Sequence, residues 1–127
     1  PNYLFDSNAL IYSANPSPDY DALRDLLTLP LPSSAASAIS KVEVLGFPRL
    51  TAADRQVLEA TFDALEVIPV FDILIEAATD LAHRYGLKAA DAIIAASALA
   101  TNRVLVSSDG HFQRVPGLTV LHPLHLP

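Results

Sequence analysis

Four acids stand far apart in the chain, and each follows or opens a short apolar segment: Asp6, Glu43, Asp91 and Asp109. Asp6 ends the strand-like run Tyr3-Leu4-Phe5, and Asp109 follows Val104-Leu105-Val106 and two serines. Glu43 and Asp91 lie near the starts of apolar, helix-like segments. Strands that neighbour one another in a sheet would bring these carboxylates together at its edge. Carboxylates pressed together repel unless a divalent cation holds them. The pattern therefore predicts a Mg²⁺ or Mn²⁺ site and, with it, phosphodiester hydrolysis.

Each acid also has a plainer reading. Asp6, at a strand end and ahead of a helix, suits an ionised ligand held on a rigid element, but N-cap aspartates occupy the same place. Asp91 begins a stretch of almost entirely small or apolar residues, where an unpaired charge is costly; helix capping is the alternative. Glu43 is the only acid between Asp25 and Asp54, and Lys41, two residues earlier, points to a different helix face. Its alternative is a head group in water. Asp109 precedes Gly110, a common turn pair. Ser107 and Asn8 could offer a hydroxyl and an amide to a carboxylate or to a substrate phosphate, or serve as ordinary turn and cap residues. Among the histidines, His83 reads as a helix-surface residue and His111 as a turn residue close enough to Asp109 to touch substrate. His122 and His125 belong to the tail.

Other chemistries lack their residues. The glycines, Gly46, Gly86, Gly110 and Gly117, form neither a Walker loop nor a dinucleotide-binding motif. There is no Gly-x-Ser-x-Gly nucleophile turn. Without cysteine there is no disulfide framework, thiolate chemistry or cysteine-built zinc site.

The elements that must position the acids follow from periodicity and punctuation. Strands are expected at Asn2–Phe5, Ser33–Ser37, Val67–Val70, Val104–Val106 and Leu118–Leu121, with Pro69 pointing to an edge position for the third. Helices are expected from Ser7, as cap, to about Ala14, over Tyr20–Leu29 and Ala38–Phe47, and from the Thr51 cap to about Ala64. Two more run from Asp72 to about Tyr85, stopped by Gly86, and from Ala89 to about Thr101. The tail from His122 reads as extended. The expected fold is α/β: one domain over residues 1–127, with a mostly parallel sheet of four or five strands flanked by helices. In such sheets ligands bind beyond the carboxyl ends of the strands, where Asp6 and Asp109 would lie.

At 127 residues and 51% hydrophobic, the chain can bury a substantial core. No basic region precedes an apolar stretch at the N-terminus, and the longest uncharged run, Leu26 to Ser40, is too short for a membrane helix and is interrupted by Pro30 and Pro32. A cytoplasmic protein without membrane contact is expected. The net charge of −6, with only eight Lys and Arg, argues against a broad nucleic-acid surface. Contact with nucleic acid must be local, or depend on bound metal or a second subunit.

Taken together, the segments resemble the PIN-domain nucleases, and among them the small VapC-type ribonuclease toxins of toxin–antitoxin pairs. Tyr3-Leu4-Phe5-Asp6-Ser7-Asn8-Ala9-Leu10-Ile11-Tyr12 looks like that family's first strand and first acid, and Ser37 to Gly46 like its second acidic segment. Ala90-Asp91-Ala92-Ile93-Ile94-Ala95-Ala96-Ser97-Ala98-Leu99 is the most specific match, and Leu105 to Phe112 looks like the last acidic segment. Ser108 departs from the pattern, standing where a basic residue is common. The resemblance implies a Mg²⁺- or Mn²⁺-dependent endoribonuclease with Asp6 and Asp91 as direct ligands. Glu43 and Asp109 would complete the cluster. It also implies an RNA substrate, a homodimer and a small antitoxin that blocks the site. Two alternatives stand beside it. One is a catalytically weak PIN-like protein-binding module. The other is a haloacid-dehalogenase-like phosphatase, although Asn8 occupies the position where that chemistry places a second aspartate.

Overall fold

Strand-length apolar runs alternate with helix-length periodic ones, and the computed structural model, which describes residues 1–127, turns them into five strands and six α-helices. In chain order these are β1 (Tyr3–Phe5), α1 (Ser7–Ser13), α2 (Asp21–Leu27), β2 (Ser34–Ser37), α3 (Ala38–Leu45), α4 (Ala52–Ala64), β3 (Glu66–Ile68), α5 (Asp72–Tyr85), α6 (Ala89–Ala100), β4 (Val104–Val106) and β5 (Val120–Leu121). Every strand pairing is parallel, in the order β3-β2-β1-β4-β5. The chain forms a single α/β domain.

The period-2 pattern of the strands divides the core into two. Tyr3 and Phe5 of β1, Ala36 of β2 and Val106 of β4 pack with α1, α2, α3 and α4 on one face. Leu4, Ala35 and Leu105, the alternating partners, pack with α5 and α6 on the other. Strands buried on both faces read as continuous apolar runs, which is why no polar residue interrupts β1 or β4. From β1 the chain winds outward through β2 and β3, then crosses back to place β4 on the opposite side of β1. In parallel sheets such a reversal marks the crevice where ligands bind, here at the carboxyl ends of β1 and β4.

Small residues set how closely α6 approaches the sheet. Ala92, Ala95, Ala96 and Ala98 are buried, and the Ser97 hydroxyl returns a 2.7 Å bond to the Ile93 carbonyl rather than leaving a buried donor unpaired. Gly86 ends α5 in the left-handed conformation at φ 66°, as expected from its position, and donates its N–H to Ala82. β3 lies at the sheet edge, as Pro69 suggested, but it spans Glu66–Ile68 and stops before Pro69 rather than running to Val70.

Several boundaries differ from expectation. Asp6, not Ser7, is the N-cap of α1: its backbone is extended (φ −70°, ψ 161°) and its carboxylate accepts the Ser7 N–H. The second helix does not run from Tyr20 to Leu29. A 3₁₀ turn over Pro18–Tyr20, capped by Ser17, precedes the shorter α2, because proline's fixed φ nucleates a tight turn ahead of the regular helix. The tail is not extended throughout, since the His125 N–H closes a turn onto the His122 carbonyl at 2.9 Å. No helix is long and apolar enough to cross a membrane.

The amino edge of the sheet is tied by a buried cation. Arg103, just ahead of β4 and only 8% exposed, donates to the Tyr3 carbonyl at 3.1 Å, the Pro32 carbonyl at 2.6 Å and the Glu66 carboxylate at 2.7 Å. One guanidinium thus joins the entries of β1, β2 and β3. Arg103→Met should lower folding stability by roughly 2–4 kcal/mol, because it strands two carbonyls and a carboxylate. Urea unfolding measures this, and a loss below about 0.5 kcal/mol would mean that the clamp is only a surface-type ion pair.

Candidate functional site

The crevice at the carboxyl ends of β1 and β4 is where the sequence-predicted acids meet. Asp6 leaves β1 with its N–H bonded to the Val106 carbonyl at 3.0 Å, so the backbone that carries it is still tied to the sheet. Its two oxygens divide the work. Oδ1 accepts the Ser7 N–H at 2.8 Å and caps α1; Oδ2 accepts the Ser107 hydroxyl at 2.7 Å and the Asn8 amide at 3.1 Å. The cap reading of this residue holds, and it leaves the second oxygen to Ser107 and Asn8. The carboxylate is 4% exposed. Burial pushes its pKa from 3.8 up to about 6; the Ser107 and Ser7 hydrogen bonds oppose this, and the negative charges of Asp91 and Glu43 add to it.

Ser107 and Asn8, read from the sequence as candidate substrate contacts, border the same pocket. Besides serving Asp6, the Ser107 oxygen accepts the Asp109 N–H at 3.0 Å, and the Asn8 carbonyl oxygen accepts the Ser108 N–H at 3.2 Å. The start of α1 and the turn after β4 are therefore laced together across the mouth of the crevice.

Asp91 sits in the first turn of α6, whose N-cap, Lys88, makes no side-chain cap bond. The capping alternative does not apply to it. Its carboxyl is held above the usual range, first by burial, then by the charges of Asp109 and Glu43, with His111 and Lys88 pulling the other way. Asp109 caps a 3₁₀ turn over Gly110–Arg114 by accepting the His111 N–H at 2.8 Å. The donor atoms of Asp91, Asp109 and the His111 ring lie within 4.8 Å of one another. Asp6 and Glu43 stand outside this triad, though within electrostatic reach of Asp91. Glu43 is exposed on α3, as its plainer reading anticipated, and is anchored to the site by the Ser7 hydroxyl at 2.7 Å.

A hard divalent cation suits this donor set. Asp6, Glu43 and Asp109, each on a different element, stand within electrostatic reach of Asp91, and Asp6 is buried enough that its charged form is disfavoured without a compensating positive charge. The residues underrated by sequence reasoning are Ser7, whose hydroxyl reaches a glutamate 36 positions away, and His111, which the 3₁₀ turn swings beside Asp91. The proximity of His111 to Asp109 was visible in the sequence; nothing local indicated that a turn of α6 would face it.

Comparison with known proteins agrees with the geometry. The family model for the PIN domain matches residues 3–118. No curated protein matches the chain in sequence. Among solved structures, a toxin–antitoxin complex from Klebsiella pneumoniae has a similar chain, with a TM-score of 0.78, 27% identity, and coverage of 98% of this chain and 100% of that one. DNA-bound VapBC from Salmonella typhimurium is similar at TM-score 0.79 and 21% identity, over 96% of this chain and 98% of that one. VapBC2 from Rickettsia felis, bound to a DNA fragment from its promoter, matches at TM-score 0.71 and 24% identity, again over 96% and 98%. With a parallel sheet in this order, acids gathered at its carboxyl edge and a family match spanning nearly the whole sequence, the chain belongs to the PIN-domain family.

Proposed function

We propose that the protein is a Mg²⁺- or Mn²⁺-dependent endoribonuclease, the toxin of a toxin–antitoxin pair acting in the cytoplasm. What supports this reading is the electrostatic proximity of Asp6, Glu43 and Asp109 to Asp91 at the carboxyl edge of the sheet, with Asp6 buried and its pKa raised to about 6. Asp6 and Asp91 are the proposed direct ligands, and Glu43 and Asp109 complete the cluster directly or through water. When bound, the ion supplies a lowered water pKa and offsets charge on the scissile phosphate. The chain's own part is orientation. Ser107 and Asn8 fix the direction of the Asp6 carboxylate and border the entry of the phosphate, and Ser7 steers Glu43. No side chain is needed as nucleophile. A small antitoxin partner is proposed on the strength of the toxin–antitoxin complexes among the similar structures, and a homodimer on the family resemblance alone. Exposed apolar side chains such as Phe71 and Ile73 on and before α5 are available to such partners.

A second reading, a catalytically weak protein-binding module, draws on the cations. Arg24, Arg55, Arg84 and Arg103 are each engaged in an ion pair, which leaves few positive charges for RNA. RNA cleavage by the parent protein decides between them. Cleavage should require added Mg²⁺ or Mn²⁺ and stop with chelator. Asp6→Asn and Asp91→Asn should each lower the rate on the order of 100-fold or more while circular dichroism stays unchanged. Unchanged cleavage in both variants would reject the assigned site, and phosphate release from a small phosphomonoester without RNA cleavage would favour a phosphatase.

The metal-free protein should also carry a signature of Asp6. A carboxyl raised from 3.8 to about 6 on folding favours the native state fully below the lower value, and that contribution is lost as pH rises through the upper one. At neutral pH the cost is on the order of 3 kcal/mol. In chelator, the stability of Asp6→Asn should therefore vary less than the parent's between pH 4 and 7, where the parent loses stability as pH rises. Parallel stability curves for the two proteins would show that ionised Asp6 is not under strain.

A further inference from the structure

His111 stands in the site without a settled task. Its backbone N–H is spent on Asp109 Oδ1 at 2.8 Å, which fixes where the residue begins. Its ring Nδ1 lies 3.4 Å from the same oxygen, too long for a good hydrogen bond. The side chain is 55% exposed, so an ion pair with Asp109 would contribute little to stability. The ring is also free to turn. What the position approaches is the spacing of co-ligands. Two donors in neighbouring positions around an octahedral ion, each about 2.1 Å away, are separated by about 3 Å, and opposite donors by about 4 Å. His111 Nδ1 and Asp109 Oδ1, 3.4 Å apart, are near the first of these values, and the Asp91 donor lies within 4.8 Å of both, so the three would draw together around an ion.

We propose that His111 is a ligand of the divalent ion through an imidazole nitrogen, making the centre a mixed nitrogen–oxygen site that favours Mn²⁺ or a later first-row transition ion over Mg²⁺. The inference rests on the metal-dependent reading above and goes beyond it by naming a ligand and a preference. Mg²⁺ is hard, takes oxygen and gives up its waters reluctantly, whereas imidazole suits transition ions. A neutral ligand also adds coordination without adding another negative charge to a pocket where Asp6, Glu43, Asp91 and Asp109 already repel. The 3₁₀ turn over Gly110–Arg114 is the device that brings the ring alongside, since Asp109 caps it and His111 is its second residue.

Tag-free protein loaded with Mn²⁺ alone tests this by electron spin echo envelope modulation, which detects a nitrogen coordinated to the ion. Nitrogen modulation should be present in the parent and in a His83→Gln control, and absent in His111→Gln. By calorimetry, His111→Gln should bind Mn²⁺ about tenfold more weakly while Mg²⁺ affinity changes less than about twofold. Bound Mn²⁺ without nitrogen modulation, or modulation that persists in His111→Gln, overturns the role of His111 and leaves the acidic metal site standing. No Mn²⁺ binding by the parent overturns both.

Discussion

Like charges held close together in a partly dry crevice dominate this molecule. Asp6 is buried, Asp91 half-buried, and each feels the charge of the other acids. Left to itself such a group would swing its carboxylates into water. Here it cannot, because each is attached to an element whose place is set elsewhere: Asp6 by a strand end and a helix cap, Asp109 by the turn after β4, Asp91 by the first turn of α6. The core packing that fixes those elements is what maintains the unfavourable concentration of charge, and a bound cation would relieve it. Binding sites are commonly the places where a fold tolerates such local conflict.

The opposite edge of the sheet has the complementary arrangement. There a single buried guanidinium gathers two carbonyls and Glu66, joining the entries of three strands. One end of the sheet is closed by positive charge and hydrogen bonds, the other left rich in negative charge. Because Arg103 is committed to the amino edge, it is not available to a nucleic-acid backbone. With a net charge of −6, tolerance of a polyanion would fall to the proposed metal site more than to the surface.

The alanine content of α6 links core to site. Alanine side chains let this helix approach the sheet closely, and its exit leads directly into Arg103 and β4. The same short path that buries Ala95 and Ala98 against the strands brings Asp91 to the crevice at the helix's other end. Packing and chemistry here are two consequences of one choice of small residues.

Much of this was legible in the linear chain, and the reasons are local. Short apolar runs at Tyr3-Leu4-Phe5 and Val104-Leu105-Val106, helix-spaced leucines and the stop at Gly86 depend on neighbours within one turn or one strand, so the α/β class and most element positions followed from them. The candidate acids were visible because strand ends and helix starts are themselves local features. Less legible were relations between residues distant in sequence: the Ser7–Glu43 bond, the swing of His111 to Asp91, and the burial of Arg103. Those depend on sheet order, and on α6 crossing to the far face of β1, a packing outcome of the whole chain that no short window contains.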